Sequence, residues 1–279
     1  LLSNGDLLAA AANGILSADE QSVLLHRRKG RRRLTAADQL LIDEANSLLN
    51  GPPFTYGHVV VDEAQDHSAV ALRVIGRRSP NGSLTILGDL AQSTTPAGQS
   101  DWAVVQRFLN AEHADVAHLT IGYRVPAPIL DVANRLLALT QVDTVASRSV
   151  RIEGEAPRFV RSAEGSLPTA VVDSVHDVRV HHPLTGIVAP SRLHDAIAAA
   201  LAETGLRAAT HVQELARDEV PIFSPEAVKG LEFDGVVVVN PHEVLDGSPR
   251  GARLLYVAMT RAVQVLRFVG SEPLPAPLA

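Results

Sequence analysis

Cysteine is absent from the 279 residues. A disulfide scaffold, a zinc ribbon, an iron–sulfur protein and a thiol enzyme are excluded with it. Aromatic residues make up only 4%, with a single Trp. Lysine is nearly missing: of 25 basic residues only Lys29 and Lys229 are Lys, and the rest are Arg. No apolar run approaches the roughly 18 residues that a membrane span needs, so no membrane is expected. The start, Leu1-Leu2-Ser3-Asn4-Gly5-Asp6, has no initiator Met, no basic segment and no long apolar segment. It reads as an internal start of a cytoplasmic protein rather than a signal peptide. A net charge of −6 excludes a polybasic nucleic-acid glove, so any nucleic-acid contact is local.

What remains is a globular composition, 46% hydrophobic and 20% charged. The length suits about two domains. Short β-branched runs alternate with Ala/Leu-rich stretches of helical spacing. The runs are His58–Val61, Leu84–Leu87, Gly186–Ala189 and Val236–Val239. The stretches are Thr35–Leu49, Ser68–Arg77, Pro126–Leu139, Ser191–Glu203 and Arg253–Ala262. This alternation predicts an α/β fold with parallel sheets and helices on both faces. A boundary is expected near Ala111–Asp115, dividing residues 1–113 from 114–279. Gln141–Pro157 reads as a connector or an exposed hairpin. The Pro-rich tail Glu272–Pro277 is expected outside the fold. The basic run Arg27, Arg28, Lys29, Arg31, Arg32 and Arg33 suits a phosphate- or partner-contacting loop, but with no flanking aromatic it reads as a solvated inter-helix loop.

The strongest chemical signal is Val59-Val60-Val61-Asp62-Glu63-Ala64-Gln65-Asp66, a hydrophobic strand ending in two adjacent carboxylates. In parallel α/β sheets ligands bind beyond the carboxyl ends of the strands. There Asp62 could hold Mg²⁺ through water, and Glu63 could orient or deprotonate an attacking water. The alternative is an acidic helix N-terminus favoured by the helix dipole. A second strand ends in Gly88-Asp89-Leu90-Ala91-Gln92, where Gln92 offers an uncharged hydrogen-bonding group. Gly122-Tyr123-Arg124-Val125-Pro126 opens a helix. Lys229-Gly230-Leu231-Glu232-Phe233-Asp234 precedes a strand, and Tyr256-Val257-Ala258-Met259-Thr260-Arg261-Ala262 ends a helix.

Taken together and in this order, these five segments resemble the superfamily 1 helicase motors of the UvrD/Rep type. The resemblance covers roughly residues 57–270. It implies two RecA-like P-loop NTPase domains, the first incomplete, with ATP and Mg²⁺ as cofactors. It implies that Asp62 binds Mg²⁺, Glu63 activates water and Gln92 touches the γ-phosphate. Arg124 and Arg261 would be arginine fingers from the second domain. Tyr123 would flank the base, and Gly230 and Glu232 would lie at the nucleotide, Glu232 near its ribose.

Four departures from that family are visible. Neither lysine stands in a Gly-Lys-Ser/Thr phosphate loop, so this polypeptide alone is not expected to hydrolyse ATP. Ser93–Asp101 lacks the aromatic on which a base would stack, and Trp102 reads as a buried anchor. Ser224 and Glu226 stand where Thr and His usually contact a nucleic-acid backbone, and a carboxylate there is repulsive. The interval from Arg124 to Lys229 leaves no room for a large inserted domain. With Gln92-Ser93-Thr94-Thr95-Pro96 and Ser147-Arg148-Ser149-Val150-Arg151, the departures resemble the HelD family, its HelR branch most of all. That resemblance implies binding to core RNA polymerase, recycling of stalled or inhibitor-bound enzyme and rifamycin tolerance. A UvrD/Rep-type DNA helicase is the alternative. Metal binding by His113 with His118, or His181 with His182, lacks any matching spacing. Asp66 is expected to brace the acidic turn, and Asp131 and Asp195 to be ordinary helix positions.

Overall fold

The computed structural model describes residues 4–25 and 34–279. The chain divides into two compact units at Asp43/Glu44. The basic run Arg27–Arg33 lies outside the described residues.

Side-chain caps start the helices of the first unit. Helix α1 (Gly5–Ala11) begins at Asn4, whose side chain accepts from the Leu7 N–H. Helix α2 (Ala18–Leu25) opens with a capping box: Glu20 accepts from the Ser17 N–H at 2.8 Å, and the Ser17 hydroxyl accepts from the Glu20 N–H at 3.3 Å. Thr35 and Asp38 repeat the device at α3 (Ala36–Asn50), whose residues from Glu44 on belong to the second unit.

The second unit starts with a small parallel sheet. Strand β1 (Val59–Val61) pairs with β2 (Leu84–Ile86), Val60 opposite Thr85. Helices α4 (Ala69–Arg77) and α5 (Trp102–Leu109) supply its core, in which Val61, Ala64, Leu72, Val105 and Leu109 are buried. Ser68 caps α4 and Asp101 caps α5 through their side chains. A short pair follows, β3 (Ile121–Gly122) with β4 (Arg148–Ser149), with α6 (Ala127–Asn134) between them in sequence.

The largest element is a six-stranded, wholly parallel sheet. Its strands are β5 (Arg158–Arg161), β6 (Thr185–Val188), β7 (Arg207–Ala209), β8 (Glu219–Phe223), β9 (Phe233–Val239) and β10 (Ala262–Gly270). They lie in the order β5-β10-β9-β6-β8-β7. Helices α7 (Leu167–Arg179) and α8 (His194–Glu203) belong to one face, and α10 (Pro249–Thr260), after the short α9 (Pro241–Leu245), to the other. Strand periodicity explains the two cores. Val236 and Val238 pack with Leu255, Leu266 and Phe268, whereas Val237 and Val239 pack with Val171, Ile197 and Leu201. A strand buried on both faces must be apolar at every position, which is why Val236–Val239 is an unbroken valine run.

Two expectations need correction and one is narrowed. Of the two readings of segment 141–157, connector or hairpin, the connector holds: its one strand, β4, pairs in parallel with β3. The tail packs on the core: Leu278 is buried, and the Ala279 carbonyl accepts from Arg135 at 3.0 Å. The helical stretch expected to end at Ala262 stops at Thr260, and Ala262 opens the central strand β10. Glu226 forms an ion pair with Arg250 at 3.5 Å, both side chains about half exposed.

Candidate functional site

The carboxyl ends of β1 and β2 lie side by side and carry the site. Asp62 follows β1 directly and is exposed. Its Oδ1 accepts the Glu63 N–H at 2.8 Å, and its other oxygen has no protein partner among the described residues. Glu63 takes a left-handed backbone conformation with φ 52°, which turns the chain sharply at the strand end. Gln65 is fully buried and joins the two strand ends. Its amide donates to Glu63 Oε2 at 2.6 Å, and its carbonyl oxygen accepts the Asp89 N–H at 3.1 Å. Only glycine fits at position 88, since a Cβ there would lie 2.3 Å from Gln65 Oε1 and 3.0 Å from the Trp102 ring.

Asp89 fixes Gln92. One carboxylate oxygen accepts the Ala91 N–H at 2.9 Å, and the other accepts from the Gln92 amide at 2.8 Å. That leaves Gln92 Oε1 facing Arg261, whose Nη2 donates to it at 3.3 Å. Arg261 caps α10 and is nearly inaccessible, held also by the carbonyls of Val257 and Leu231. Burial, and then the like charge of Arg124, depress its pKa, opposed by Glu232 and Glu63.

Lys229 closes the site from the same side as Arg261. Its Nζ lies 2.5 Å from Asp66 Oδ2, 3.2 Å from Glu63 Oε2 and 2.8 Å from the Gln92 carbonyl. Burial pushes the Glu63 carboxyl up, but the Gln65 hydrogen bond and the charges of Lys229 and Arg261 outweigh it, leaving Glu63 below the usual range. Asp66 therefore braces the turn through Lys229.

Tyr123 and Arg124 line a cavity of about 480 Å³ that also touches Asp89, Gln92 and Arg261; Gly230 and Glu232 are not in its lining. Tyr123 is strongly exposed at its mouth. Arg124 does not reach across to β1 and β2; it pairs with Glu232 at 2.8 Å. Gly230, with φ 78°, makes the left-handed turn after Lys229. Tyr256 lines the cavity floor, its phenol pushed well up by burial and by Asp89, with Arg261 opposing.

The structure thus joins Glu63, Gln92 and Arg261 in one hydrogen-bonded chain and places Arg124 with Glu232 at the rim. Sequence reasoning missed Gln65, Asp89 and the side chain of Lys229. A signal for Lys229 existed: it is one of two lysines in a chain that otherwise uses Arg. Among the described residues no cluster of three or more His, Asp or Glu is placed to hold a metal ion. The exposed oxygen of Asp62 suits Mg²⁺ held mainly by water, because that ion keeps most of its hydration shell. No helix among the described residues is long and apolar enough to cross a membrane.

Residues 222–269 match the UvrD-like helicase C-terminal domain. This segment contains Lys229, β9, α10 and Arg261. Among solved structures, the chain is similar to the C-terminal domain of a possible DNA helicase from Lactobacillus plantarum WCFS1. The identity is 24%, over 57% of this chain and 92% of that one, with a TM-score of 0.43. No curated protein matches.

Proposed function

We propose that this chain is the C-terminal part of an ATP-driven, UvrD-like motor. In this reading residues 1–113 belong to one RecA-like domain and residues 114–279 form a second. The observation that carries it is the run of contacts from Glu63 through Gln65 and Asp89 to Gln92 and Arg261. Residues far apart in sequence build one polar site beyond the ends of two parallel strands.

The residues fit a nucleotide triphosphate at its terminal phosphate. Arg261 and Arg124 supply positive charge, and Gln92 a neutral hydrogen bond. Asp62 would hold Mg²⁺, which supplies charge neutralisation at the phosphates when bound. Glu63, kept ionised, is the group to orient a water and take its proton. Arg261 would oppose charge growing on the phosphoryl oxygens; arginines so placed contribute about 10³–10⁵ in rate in related chemistry. The β- and γ-phosphate cradle is the missing piece. Lys229 is engaged by Glu63 and Asp66 and does not stand in a phosphate loop. This chain by itself is therefore not expected to hydrolyse ATP.

As to what the motor acts on, we favour core RNA polymerase, as in HelD-like recycling factors, over a DNA track. The supporting observation is the segment after Gln92. It presents no aromatic, and its Ser93, Thr94 and Gln99 are buried against the rest of the site rather than offered as a stacking surface. The test is capture of core RNA polymerase by the parent protein, beside ATP hydrolysis with and without single-stranded DNA. Polymerase binding with DNA-indifferent hydrolysis supports the reading. Strong stimulation by DNA without polymerase binding replaces it with a DNA helicase.

A further inference from the structure

Three consecutive backbone carbonyls, those of Gln92, Ser93 and Thr94, each accept a hydrogen bond from a different cation. Lys229 Nζ donates to the Gln92 carbonyl at 2.8 Å, Arg253 Nη1 to that of Ser93 at 3.2 Å, and Arg250 Nε to that of Thr94 at 3.2 Å. All three cations come from the segment 229–253, two of them from α10. Ser93 and Thr94 are buried, so their carbonyls need partners, and among the described residues no backbone N–H supplies them. The Gln92 carbonyl ends the short helical turn Leu90–Gln92, Ser93 caps it and Thr94 follows. Glu226 in turn pairs with Arg250.

The far side of the same segment is tied to the acidic turn. Ser93 Oγ donates to the Gln65 carbonyl and Thr95 Oγ1 to the Asp66 carbonyl, both at 3.2 Å. The Gln99 N–H donates to the Gln65 carbonyl at 2.6 Å, and the Gln99 amide to the His67 carbonyl at 2.9 Å. The packing is close enough that a Cβ at Gly98 would lie 2.4 Å from Ser93 Oγ and 2.9 Å from the Gln65 carbonyl oxygen. Segment 92–99 is thus held between the acidic turn after β1 and helix α10, with Gln92 as its first residue.

We propose that Lys229, Arg253 and Arg250 form a cation rack that positions Gln92 and transmits its displacement to α10. They are positioning residues, acting through the backbone of 92–94. The reading rests on the proposed motor function for its consequence, but the rack itself is open to test without nucleotide. A group binding at Gln92 would shift the turn Leu90–Gln92, and the charge-assisted hydrogen bonds of Arg250 and Arg253 would convey that shift to α10, which Arg261 caps, while Lys229 ties the same turn to the segment before β9. Sensing the terminal phosphate and placing the arginine would then be one motion.

The first measurement is amide hydrogen exchange on the 279-residue chain, for wild type, Arg250→Ala with Arg253→Ala, and Arg253→Lys. The expected result is exchange about tenfold faster at the Ser93, Gly98 and Gln99 amides in the double variant, the value of losing one hydrogen bond to a charged group. Amides of β9 and β10 keep their wild-type rates, and Arg253→Lys recovers part of the protection. Unchanged exchange at 92–99, or equal acceleration throughout the chain, overturns the rack. The second measurement is ATP hydrolysis by the parent protein. Arg253→Ala lowers kcat about tenfold with KM within twofold, and adds less than twofold in a Gln92→Ala background, because both act through one group. Additive losses overturn the coupling to Gln92. A wild-type parent without hydrolysis refutes the motor reading, and the exchange result then decides the rack alone.

Discussion

Replacing Lys229 by Met removes the side chain that touches two carboxylates of the acidic turn, Glu63 and Asp66. Its Nζ is 2.5 Å from Asp66 and 3.2 Å from Glu63, and its side chain is only 14% exposed. Asp66 is 20% exposed, and its Oδ1 is already buried without a partner among the described residues. Once the ammonium is gone, Asp66 becomes a mostly buried charge with no counter-ion. Breaking a fully buried pair costs about 3–5 kcal/mol. The partial exposure of Asp66 brings this toward the lower figure, and the half-exposed Glu63 adds little because solvent screens it. Lys229→Met is therefore expected to destabilise the chain by about 3 kcal/mol, read as a lower urea midpoint at unchanged slope. The decisive comparison is Lys229→Met with Asp66→Asn. If the cost is an orphaned carboxylate, neutralising Asp66 recovers about half of it, although Asp66→Asn alone is destabilising. Should Lys229→Met lose less than about 0.5 kcal/mol, or the double variant be the sum of the singles, the account of this ion pair is wrong.

Three further outcomes follow from other parts of the molecule. Arg261→Ala in the parent protein lowers ATP turnover by about 10³ or more with nucleotide affinity much less affected, measured by steady-state kinetics beside equilibrium binding. Arg267→Met removes a guanidinium 3.1 Å from Glu155, on a strand where the Arg267 side chain is 7% exposed; because Glu155 is partly exposed and still pairs with Arg158, a loss of only about 1 kcal/mol is expected in urea unfolding. Burial raises the Glu243 pKa, but the Arg192 and Asn240 hydrogen bonds and the Arg192 charge bring it below its ordinary value of 4.5. Because the folded-state pKa is the lower one, its contribution to stability is present above that ordinary value and disappears as pH falls through the depressed one. Glu243→Gln should flatten the acid limb of a stability–pH curve below pH 4.5 and leave the neutral limb unchanged in slope.

The large sheet was legible because buried parallel strands are apolar at every position, and Val236–Val239 carries that pattern without interruption; β1 was legible from its β-branched run Val59–Val61, although Val60 is exposed. Strand β10 was not, for a physical reason. Helix α10 runs into it with only Arg261 between them, so helical and strand periodicities meet with no glycine or proline to separate them. Strand β7, Arg207–Ala209, is short and mostly exposed, and such a strand has no hydrophobic signature to find. The tail was misread because proline excludes helix and ladder but not docking, and Leu274 and Leu278 pack on the main core. In the site, the side chains of the five segments were named from sequence, but their partners were not. Gln65 faces Glu63 and the Asp89 N–H only because β1 and β2 are adjacent, a long-range fact that no local pattern encodes.

The site's charge arrangement favours a particular order of events in the proposed motor. Glu63 and Asp66 stand on one side of the cleft, and the cations that neutralise them, Lys229 by contact and Arg261 through the field, come from the other. A cation brought to Asp62 would compete with Lys229 for the same negative charge. The negative phosphates it accompanies would draw Arg261, while Gln92 bonds to both Asp89 and Arg261 and so feels both changes. Nucleotide would thus weaken one link across the cleft while strengthening another. An exchange of that kind moves two halves relative to each other at little net cost in free energy, since each broken charge contact is replaced. A cleft closed only by apolar packing would lack this property, because its contacts do not depend on the charge of what lies between them. This places Lys229 as the contact given up on binding and Arg261 as the one gained. Lys229→Met should therefore tighten Mg²⁺–nucleotide binding relative to its effect on stability, whereas Arg261→Ala should weaken catalysis without that gain. If both substitutions change nucleotide affinity in the same direction, the exchange does not occur and the two cations merely share one electrostatic task.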